Sequence, residues 1–496
     1  MSNMQGGLSP EQQVNRMEQQ LKVQESVQNV GFSWELTQLQ ESVQGEWLGP
    51  FSETVVRFYG VSTDSRNIQP GDLYIAIKGE RFDGHAFVGE AVKQGAAAVL
   101  VSQPVACAVP AILVEDTRLA LGQFARWHRR QMPLKKLVAV TGSNGKTTTK
   151  AMLLNLFSNV GNTLATEGNL NNDFGVPRTL LNLRPEHEFA IIEMGANHLK
   201  EIEYLTLLAE PDIALLNNAS GAHLEGFGSL QGVIETKGEI FLGLNRLHAG
   251  GWAILNTDSP GFDYWQAEIA RLRVEHSLCF GEAESADVRL LSYTADSEMS
   301  RFELSVKGQL QTVTMPLLGK HNALNAAACV AVCVAAGLEW PQILPGLLSF
   351  GGVAGRLQKT RLPKGWLIDD SYNANPASVK AGIDTLVSLP GRCVLCLGAM
   401  GELGVGSETA HQEIAAYARE KGVDYLLVYG EAARIMPQEF GEQAAYFDAH
   451  QQMTERVLQL LAQGLVDNVL VKGSRSARME KVVEPIKSAQ AIGHLD

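Results

Sequence analysis

The chain of 496 residues is too long for one hydrophobic core, and we expect about three domains of ordinary size. A hydrophobic content of 45% and a charged content of 19% are typical of a soluble globular protein and exclude a disordered or fibrous one. The formal net charge of −13 argues against a nucleic-acid partner, so an anionic ligand would need local backbone amides, helix N-termini, metal ions or a few placed cations.

The domain organisation is predicted from changes of pattern along the chain. Residues 1–45 are Gln-rich, and we treat them as an N-terminal arm of unassigned role. Residues 46–135 show short strand-like runs and one helical stretch, which indicates a small α/β domain. Residues 136–353 alternate buried strands with helical segments, the pattern of a mainly parallel sheet. Residues 354–496 repeat strand-turn-helix units and indicate a Rossmann-like sheet, but without the G-x-G-x-x-G that would support dinucleotide binding. The predicted fold class is therefore α/β with three domains.

The cysteines and the most apolar run bear on the cellular compartment. Cys393 and Cys396 form a C-x-x-C pattern, but residues three apart on a strand point to opposite faces, so core packing is favoured over metal binding. The run from 323 to 338 is shorter than a bilayer span and contains Asn325. With no signal peptide recognised, we expect a cytoplasmic protein without a membrane partner.

The stretch "VAVTGSNGKTTTK", 138–150, resembles a phosphate loop with altered spacing. The usual P-loop has a glycine five residues before the Gly-Lys pair, where this chain has Val140. A strand, a Gly-rich turn and a helix start nevertheless follow in the required order. Lys146 can reach the β- and γ-phosphates, and the Thr147 hydroxyl can bind Mg²⁺. The residues predicted to surround the phosphates are Thr141, Gly142, Ser143, Asn144, Gly145, Lys146, Thr147 and Thr148. The alternative is a Gly-rich turn that carries a lysine by chance, which the hydroxyl triplet after Lys146 disfavours.

Two strand ends suggest partners for the magnesium ion. Glu193 ends the apolar strand of "FAIIEM", where a carboxylate is costly unless it is paired or metal-bound. His223 follows the strand of "DIALLNN". Strand ends of parallel sheets gather at one edge, which favours a common site. A solvated acid at a strand end is the alternative for Glu193.

Several motifs together resemble the Mur ligases of peptidoglycan synthesis. These are "TGSNGKTTT", "EMG", "NNASGAHLEGFGS", "ETKGEI" and "GKHNALNAAA", and the family loop has the same short spacing. Further motifs resemble one branch of the family, which joins D-alanyl-D-alanine to UDP-N-acetylmuramoyl-tripeptide: "STDSRNIQPGDLYIAIKGERFDGHAFV", "GNLNNDFGVPRTLL", "DDSYNANPASV" and "VKGSRSARME". The resemblance extends in order from about Val61 to Val482.

The resemblance implies an ATP- and Mg²⁺-dependent reaction, the last cytoplasmic step towards the UDP-muramoyl-pentapeptide. ATP phosphorylates the terminal carboxylate of the tripeptide, and the amine of D-alanyl-D-alanine attacks the acyl phosphate. The three domains are then expected to bind the UDP-muramoyl peptide, ATP and the dipeptide, in chain order, and to close on one another. We expect a monomer.

The resemblance also implies the metal ligands and the ATP contacts. Lys146, Thr147 and Glu193 would hold phosphate and a first Mg²⁺, and His223 would help to hold a second. Lys237 would take up CO₂ to form a carbamate that binds metal; without the resemblance it would be interpreted as a solvated helix lysine. The implied contacts to the rest of ATP are His321, Asn322, Arg356, Asp370, Tyr372, Asn373 and Asn375. A helix cap or a turn would explain some of these residues equally well.

The implied substrate contacts lie in the first and third domains and in the "GNLNND" motif. Contacts to the uridine diphosphate are Ser62, Asp64, Ser65 and Arg66. Contacts to the muramoyl tripeptide are Asn169, Asn171 and Asn172. Contacts to the dipeptide carboxylate are Lys472, Gly473, Ser474 and Arg475.

One position departs from the family pattern. Ala399 in "LGAMGELG" replaces the usual aspartate, while Glu402 remains, so the details of dipeptide binding are open. The sequence leaves two alternatives to the dipeptide ligase. A sister ligase that adds a single amino acid to a UDP-muramoyl peptide, or glutamate to folate, is disfavoured by the branch motifs. A non-catalytic nucleotide-binding module has only Ala399 in its support.

Overall fold

The structure is a computed structural model that describes residues 32–48, 56–79, 82–221 and 224–491. The chain divides into two compact units. The first comprises residues 1–133 and 173–187, and the second comprises residues 134–172 and 188–496.

The first unit contains a five-stranded sheet and a small two-stranded one. Its strands are β1 (Trp34–Glu35), β2 (Glu46–Leu48), β3 (Arg57–Phe58), β4 (Val61–Ser62), β5 (Leu73–Ile75), β6 (Ala98–Val101) and β7 (Ala111–Leu113). Its helices, numbered along the whole chain, are α1 (Leu36–Val43), α2 (Val88–Lys93), α3 (Thr117–Gln131) and α5 (Gly175–Leu181). The larger sheet has the order β2-β7-β6-β5-β4, antiparallel between β2 and β7 and otherwise parallel. The strands β1 and β3 form the small antiparallel sheet.

Part of the predicted N-terminal arm belongs to this folded unit. Trp34 stacks on Phe58 with ring centroids 5.3 Å apart. Leu36, Leu39 and Val43 recur at helical spacing and are all buried, so α1 presents one apolar face to the core. The remainder of the arm, residues 1–31, lies outside the described residues.

The segment 173–187 is separated in sequence from the rest of the first unit. Its helix α5 packs on α3 and buries Val176, Leu180 and Leu181. The chain thus leaves the second unit after Asn172 and returns to it at Glu188. The sequence pattern had included this helix in the central domain.

A buried histidine makes the stability of the first unit depend on pH. His128 accepts a hydrogen bond at Nδ1 from Trp34 Nε1 (3.0 Å), and its Nε2 lies 2.9 Å from the carbonyl oxygen of Leu183. These contacts fix a neutral imidazole. Burial lowers the pKa of His128 from 6.5 to about 4. Between these two values the unfolded chain binds a proton that the folded chain does not, so lowering the pH destabilises the fold.

We therefore expect the free energy of unfolding to fall by up to about 3 kcal/mol as the pH is lowered from 6.5 to 4, since one pKa unit is worth about 1.4 kcal/mol. Urea unfolding followed by tryptophan fluorescence measures this decrease. His128→Gln does not titrate and should flatten the profile. Equal pH slopes in the two proteins would contradict the assignment.

The second unit begins with a nine-stranded sheet. Its strands are β8 (Lys136–Thr141), β9 (Thr163–Ala165), β10 (Phe189–Glu193), β11 (Ile213–Leu216), β12 (Trp252–Asn256), β13 (His276–Gly281), β14 (Val288–Ala295), β15 (Ser300–Val306) and β16 (Gln309–Met315). Its helices are α4 (Lys146–Ser158), α6 (Glu201–Ala209), α7 (Leu224–Phe227), α8 (Leu230–Gly238), α9 (Phe262–Arg271), α10 (Lys320–Ala335) and α11 (Trp340–Leu348). The order is β16-β15-β14-β13-β12-β11-β8-β10-β9, with parallel pairing from β9 to β14 and antiparallel pairing from β14 to β16.

The strand order of this sheet places three polar strand ends side by side. β8 lies between β10 and β11, and all three run parallel. Thr141, Glu193 and Asn217 stand at or next to the carboxyl ends of these strands and are buried. The Ala-rich helix α10, expected as a tightly packed core helix, is buried along most of its length and packs against α4. The packing of α10 against α4 therefore fixes the phosphate loop at the carboxyl-end edge of the nine-stranded sheet.

The second unit ends with a six-stranded sheet. Its strands are β17 (Gln358–Arg361), β18 (Trp366–Asp370), β19 (Cys393–Gly398), β20 (Tyr425–Tyr429), β21 (Ala444–Phe447) and β22 (Asn468–Lys472). Its helices are α12 (Pro376–Val387), α13 (Ser407–Glu420), α14 (Met436–Phe440), α15 (His450–Ala462) and α16 (Glu480–Ala491). The order is β17-β18-β22-β19-β20-β21, and only the β17–β18 pair is antiparallel. Mixed α/β units with mainly parallel sheets confirm the predicted fold class.

The C-x-x-C cysteines are core residues, as the sequence predicted. Cys393 and Cys396 are buried and free, and they belong to two different apolar clusters. In the part of the chain that the structure describes, no helix is both long and apolar enough to cross a membrane.

Candidate active site

The phosphate loop joins the end of β8 to the start of α4. Gly145 precedes the helix with φ 78°, a left-handed conformation that glycine adopts without strain. A Cβ atom there would lie 2.5 Å from Asn217 Nδ2 and 2.6 Å from Asn325 Oδ1. Gly145 is therefore required both for the turn and for the close approach of two amide side chains.

Amide side chains hold the backbone of the loop in place. The backbone N–H of Asn144 donates to Asn218 Oδ1 (2.9 Å). The backbone carbonyl of Asn144 accepts from Asn217 Nδ2 (3.0 Å) and from Asn218 Nδ2 (3.1 Å). Asn217 Nδ2 also donates to Asn325 Oδ1 at 2.9 Å. Side chains from other segments thus hold the loop at the N-terminus of α4, and helix N-termini are sites at which anions bind.

Lys146 and Thr147 belong to the loop and the first turn of α4, and Glu193 lies beside them. Lys146 Nζ donates to the carbonyl of Gly142 (2.6 Å), and burial lowers its pKa. Thr147 Oγ1 donates to Glu193 Oε1 at 3.3 Å, and Asn171 Nδ2 donates to the same oxygen at 2.8 Å. Glu193 is 1% exposed.

The second carboxylate oxygen of Glu193 accepts no hydrogen bond from the described residues. Burial of a carboxylate oxygen is costly unless a cation or donor lies beside it, and the nearby Lys150 ammonium, at 3.7 Å, is beyond hydrogen-bond distance. With the adjacent Thr147 hydroxyl, this oxygen of Glu193 forms a pair of hard oxygen ligands that fits Mg²⁺. The oxygen atoms of Thr147 and Glu193 therefore fit a magnesium ion.

Lys237 is a buried cation near the loop. It is 2% exposed, and its Nζ lies 5.4 Å from the centroid of the Phe227 ring. Burial, and next the charge of Lys146, lower the pKa of Lys237 to about 7. The predicted metal ligand His223 lies outside the described residues.

Residues of the third domain reach the phosphate loop. Asn375 caps α12 and donates from Nδ2 to Asn144 Oδ1 at 2.7 Å. The guanidinium of Arg356 lies 4.1 Å from the centroid of the Tyr372 ring, and that of Arg475 lies 5.7 Å from the same centroid. The structure therefore brings these predicted ATP and dipeptide residues together around one aromatic ring.

Asp370 and Lys472 were assigned to different ligands but contact each other. Lys472 Nζ lies 2.5 Å from Asp370 Oδ2 and donates to the carbonyl of Asn373 at 2.9 Å. The side chain of Lys472 is 2% exposed. Its ammonium group is thus already engaged within the protein, and so is one oxygen of Asp370.

Ser474 and Gly473, also predicted for the dipeptide, contact neighbouring parts of the third domain. Ser474 Oγ donates to the carbonyl of Ala399 at 2.6 Å, and the amide of Ala399 donates to the carbonyl of Tyr429 at 2.8 Å. Both contacts use main-chain atoms of residue 399, so they do not depend on the methyl group of Ala399. A Cβ atom on Gly473 would lie 2.5 Å from Met479 Cγ, so Gly473 allows close packing.

His321 and Asn322, two of the predicted ATP contacts, lie at the start of α10. Asn322 is buried, donates to the carbonyl of Leu318 (2.7 Å) and accepts from Asn325 (3.2 Å). His321 is half-buried, and burial lowers its pKa to about 4. A neutral imidazole is therefore the form present at neutral pH.

The predicted uridine-diphosphate residues form a cluster within the first unit. Two hydrogen bonds join Arg66 to Asp64, at 2.9 and 2.7 Å, and the side-chain contact with Arg66 lowers the pKa of Asp64 to about 2. Ser62 Oγ donates to the carbonyl of Asp64 (3.0 Å), and Ser65 Oγ donates to Glu90 Oε2 (3.1 Å). The Arg66 side chain remains 80% exposed and is available to an anion.

The predicted tripeptide residues lie on the loop after β9. The amide of Asn171 donates to the carbonyl of Asn169 (2.7 Å), and the carbonyl of Asn171 accepts from the amide of Gly195 (2.8 Å). Asn169 and Asn172 are exposed. The loop therefore joins exposed amide side chains to the strand end that carries Glu193.

Asn325 and Lys150 are among the residues of the site that were not predicted from the sequence. Asn325 is a lone amide within an Ala-rich run, a pattern that could have indicated a buried polar contact. Lys150 lies one helical turn after Lys146 and is buried beside Glu193 at 3.7 Å. Its helical spacing from Lys146 was the available signal.

Three family models match the chain. They are the Mur ligase family catalytic domain over residues 57–129, the Mur ligase middle domain over 140–333 and the Mur ligase glutamate ligase domain over 355–475. The matched domains and the phosphate loop define an ATP-dependent Mur ligase.

Relatives of known name cover nearly the whole chain. The Escherichia coli K12 protein named UDP-N-acetylmuramoyl-tripeptide–D-alanyl-D-alanine ligase is 41% identical over 453 residues, or 91% of this chain and 98% of that protein. The crystal structure of MurF from Acinetobacter baumannii has a TM-score of 0.86 at 33% identity and covers 92% of this chain and 99% of that chain. MurF from Thermotoga maritima in complex with ADP has a TM-score of 0.78 at 28% identity and covers 88% and 98%. The chain therefore belongs to the Mur ligase family, in the branch of the UDP-N-acetylmuramoyl-tripeptide–D-alanyl-D-alanine ligases.

Proposed function

We propose that this protein uses ATP to join D-alanyl-D-alanine to UDP-N-acetylmuramoyl-tripeptide, the last step in making the UDP-muramoyl-pentapeptide precursor. The observation that carries the proposal is a built phosphate loop with Glu193 beside it, in a chain that covers 98% of a ligase of that name. UDP-linked precursors and ATP are compounds of the cytoplasm, so we place the reaction there. A monomer completes the proposal, since all three matched domains lie in one chain.

The residues of the phosphate loop bind and orient the nucleotide in this proposal. Backbone amides of the loop and the N-terminus of α4 bind the phosphate oxygens. The Lys146 ammonium exchanges its contact with the carbonyl of Gly142 for one with phosphate. Arg356, half-buried beside Tyr372, supplies a second positive charge from the third domain. Because the carboxylate and ATP are both anionic, most of the catalysis is alignment and charge neutralisation.

Mg²⁺ would be held by Thr147 and Glu193, and His223 and a carbamate on Lys237 would hold a second ion. When bound, the metal supplies charge neutralisation on the phosphates. The residues of this chain hold their own positions without it, since Asn171 and Thr147 both donate to one oxygen of Glu193.

The carbamate is proposed from the burial of Lys237 and from the family resemblance. The neutral amine nitrogen attacks the carbon of CO₂, a C=O π bond opens onto oxygen, and a proton leaves for water. A pKa lowered to about 7 supports this step, because a large fraction of the amine is neutral at neutral pH. The product is an anion, which suits a site between phosphates and metal.

We expect Lys237→Ala to lose activity by roughly 100-fold, the effect of removing one preorganised group from such a site. Short-chain carboxylic acids should restore part of the activity, because they return a carboxylate to the cavity. Steady-state phosphate release with and without acetate, propionate or butyrate measures the recovery. Lys146→Ala serves as the control that no acid rescues. A folded Lys237→Ala protein that no acid restores would contradict the carbamate.

The proposed reaction is tested by phosphate release from ATP and Mg²⁺ with UDP-muramoyl tripeptide, with and without D-alanyl-D-alanine. Release that requires the dipeptide, with the matching mass gain in the UDP-peptide, is expected. Single D-alanine and L-lysine are the control acceptors. Release that depends on one of these instead, or ATP binding without any release, would overturn the proposal.

A further inference from the structure

Lys150 is a buried cation to which the proposed reaction gives no task. It lies on α4, one helical turn after Lys146, and is 6% exposed. An ammonium group in such a place must find partners for its three donors. The contacts of the Lys150 ammonium group show which segments of the chain it connects.

The Nζ atom of Lys150 contacts three points that are distant in sequence. It donates to the carbonyl of Thr166 at 2.7 Å and to that of Gly168 at 3.3 Å. It also lies 3.7 Å from Glu193 Oε2, the oxygen without a hydrogen bond among the described residues. One ammonium group thus joins α4, the loop after β9 and the end of β10.

The loop that Lys150 holds is also tied to the strand of Glu193. The amide of Glu193 donates to Thr166 Oγ1 at 2.9 Å. At the other end of the loop, Asn171 Nδ2 donates to Glu193 Oε1 at 2.8 Å. The exposed Asn169 and Asn172 therefore extend from a loop with three fixed points.

We propose that Lys150 is a positioning residue that sets the tripeptide loop and the Glu193 carboxylate in register with the phosphate loop. The inference rests on the proposed function, because that function assigns the 166–172 loop to the UDP-muramoyl tripeptide and Glu193 to the metal. Lys150 holds Glu193 Oε2 by charge and directs the loop by two hydrogen bonds. The carboxylate to be phosphorylated is thereby aligned with ATP.

The test replaces Lys150 by methionine, an unbranched side chain one atom shorter than lysine, which removes the charge and the donors. We expect kcat to fall by about 100-fold, the cost of a displacement of about 1 Å where alignment sets the rate. The Mg²⁺ concentration for half-maximal rate should rise about tenfold or more, as for loss of a group that orients a metal ligand. The dissociation constant of the UDP-tripeptide, measured by calorimetry without turnover, should also rise. The KM of D-alanyl-D-alanine should not change.

Two further variants make the outcome decisive. Lys150→Arg keeps the charge beside Glu193 but not the carbonyl contacts, so it should raise the UDP-tripeptide dissociation constant and keep the Mg²⁺ requirement near that of the wild type. Lys135→Met removes an exposed lysine paired with Glu188 in the same unit and should change none of these constants.

The inference would be overturned if the Mg²⁺ requirement, the UDP-tripeptide dissociation constant and the KM of D-alanyl-D-alanine all changed equally in Lys150→Met. Values within twofold of the wild type in a folded Lys150→Met protein would also overturn it. If Lys150→Met does not fold, Lys150→Arg decides: unchanged UDP-tripeptide affinity overturns the inference, and a selective loss supports it. A wild-type protein that does not ligate the dipeptide would remove the proposed function, whereas an active wild type with unaffected Lys150 variants would remove only this inference.

Discussion

Replacing Lys146 by alanine is expected to abolish ATP-dependent ligation. The variant removes the ammonium group that we propose contacts the β- and γ-phosphates, and kcat should fall by roughly 100- to 1,000-fold or more. Dipeptide-dependent phosphate release measures this loss. The fold should be retained, because Lys146 is half-buried, burial lowers its pKa, and its ammonium group donates to the loop carbonyls of Gly142 and Ser143.

Binding of the UDP-tripeptide separates this result from general damage. The uridine-diphosphate residues lie in the first unit, so calorimetric affinity for the UDP-sugar portion should stay near the wild-type value. Lys135→Ala, an exposed lysine in the same unit as Lys146, provides the matched control. Normal turnover by Lys146→Ala would remove the phosphate-loop assignment.

Breaking the Asp370–Lys472 pair is expected to have the largest effect on stability. Lys472→Met leaves the carboxylate of Asp370 buried and unpaired, which typically costs about 3–5 kcal/mol. Urea unfolding should show this loss in the transition of the third domain. The neighbouring Lys487, 3.6 Å from Asp369 and 27% exposed, is the matched control, and Lys487→Met should cost less than about 1 kcal/mol.

A double variant tests the physical cause. In Asp370→Asn with Lys472→Met no unpaired charge remains, so the protein should be more stable than Lys472→Met alone. If the single variant loses less than the Lys487 control, the pair does not stabilise the fold. Equal stability of the single and double variants would show that the lost hydrogen bonds, rather than the charge, set the cost.

Much of the fold was predictable because its strands are apolar and its turns are rich in glycine. Buried strands such as β8 and β10 carry continuous hydrophobic runs, and Glu193 stands out at the end of one. The order of neighbouring strands then brings Glu193 to Thr147, so motif spacing and sheet geometry together predict the centre of the site.

The parts that were missed depend on pairings between distant segments. Asp370 and Lys472 end the neighbouring strands β18 and β22, which lie 102 residues apart, and the sequence pattern of neither strand indicates that pairing. Helix α5 is apolar enough to pack in either unit. Lys150 resembles an ordinary helix lysine until its contacts with the carbonyls of Thr166 and Gly168 are known.

Because residues 173–187 belong to the first unit, that unit is not one continuous segment of the chain. The backbone passes between the units three times, at 133/134, 172/173 and 187/188. A fragment that ends at residue 133 would lack α5 and would expose the face of α3 on which α5 packs. A stand-alone version of the first unit should therefore splice the two segments into one shorter chain, as is done for a domain interrupted by an insertion.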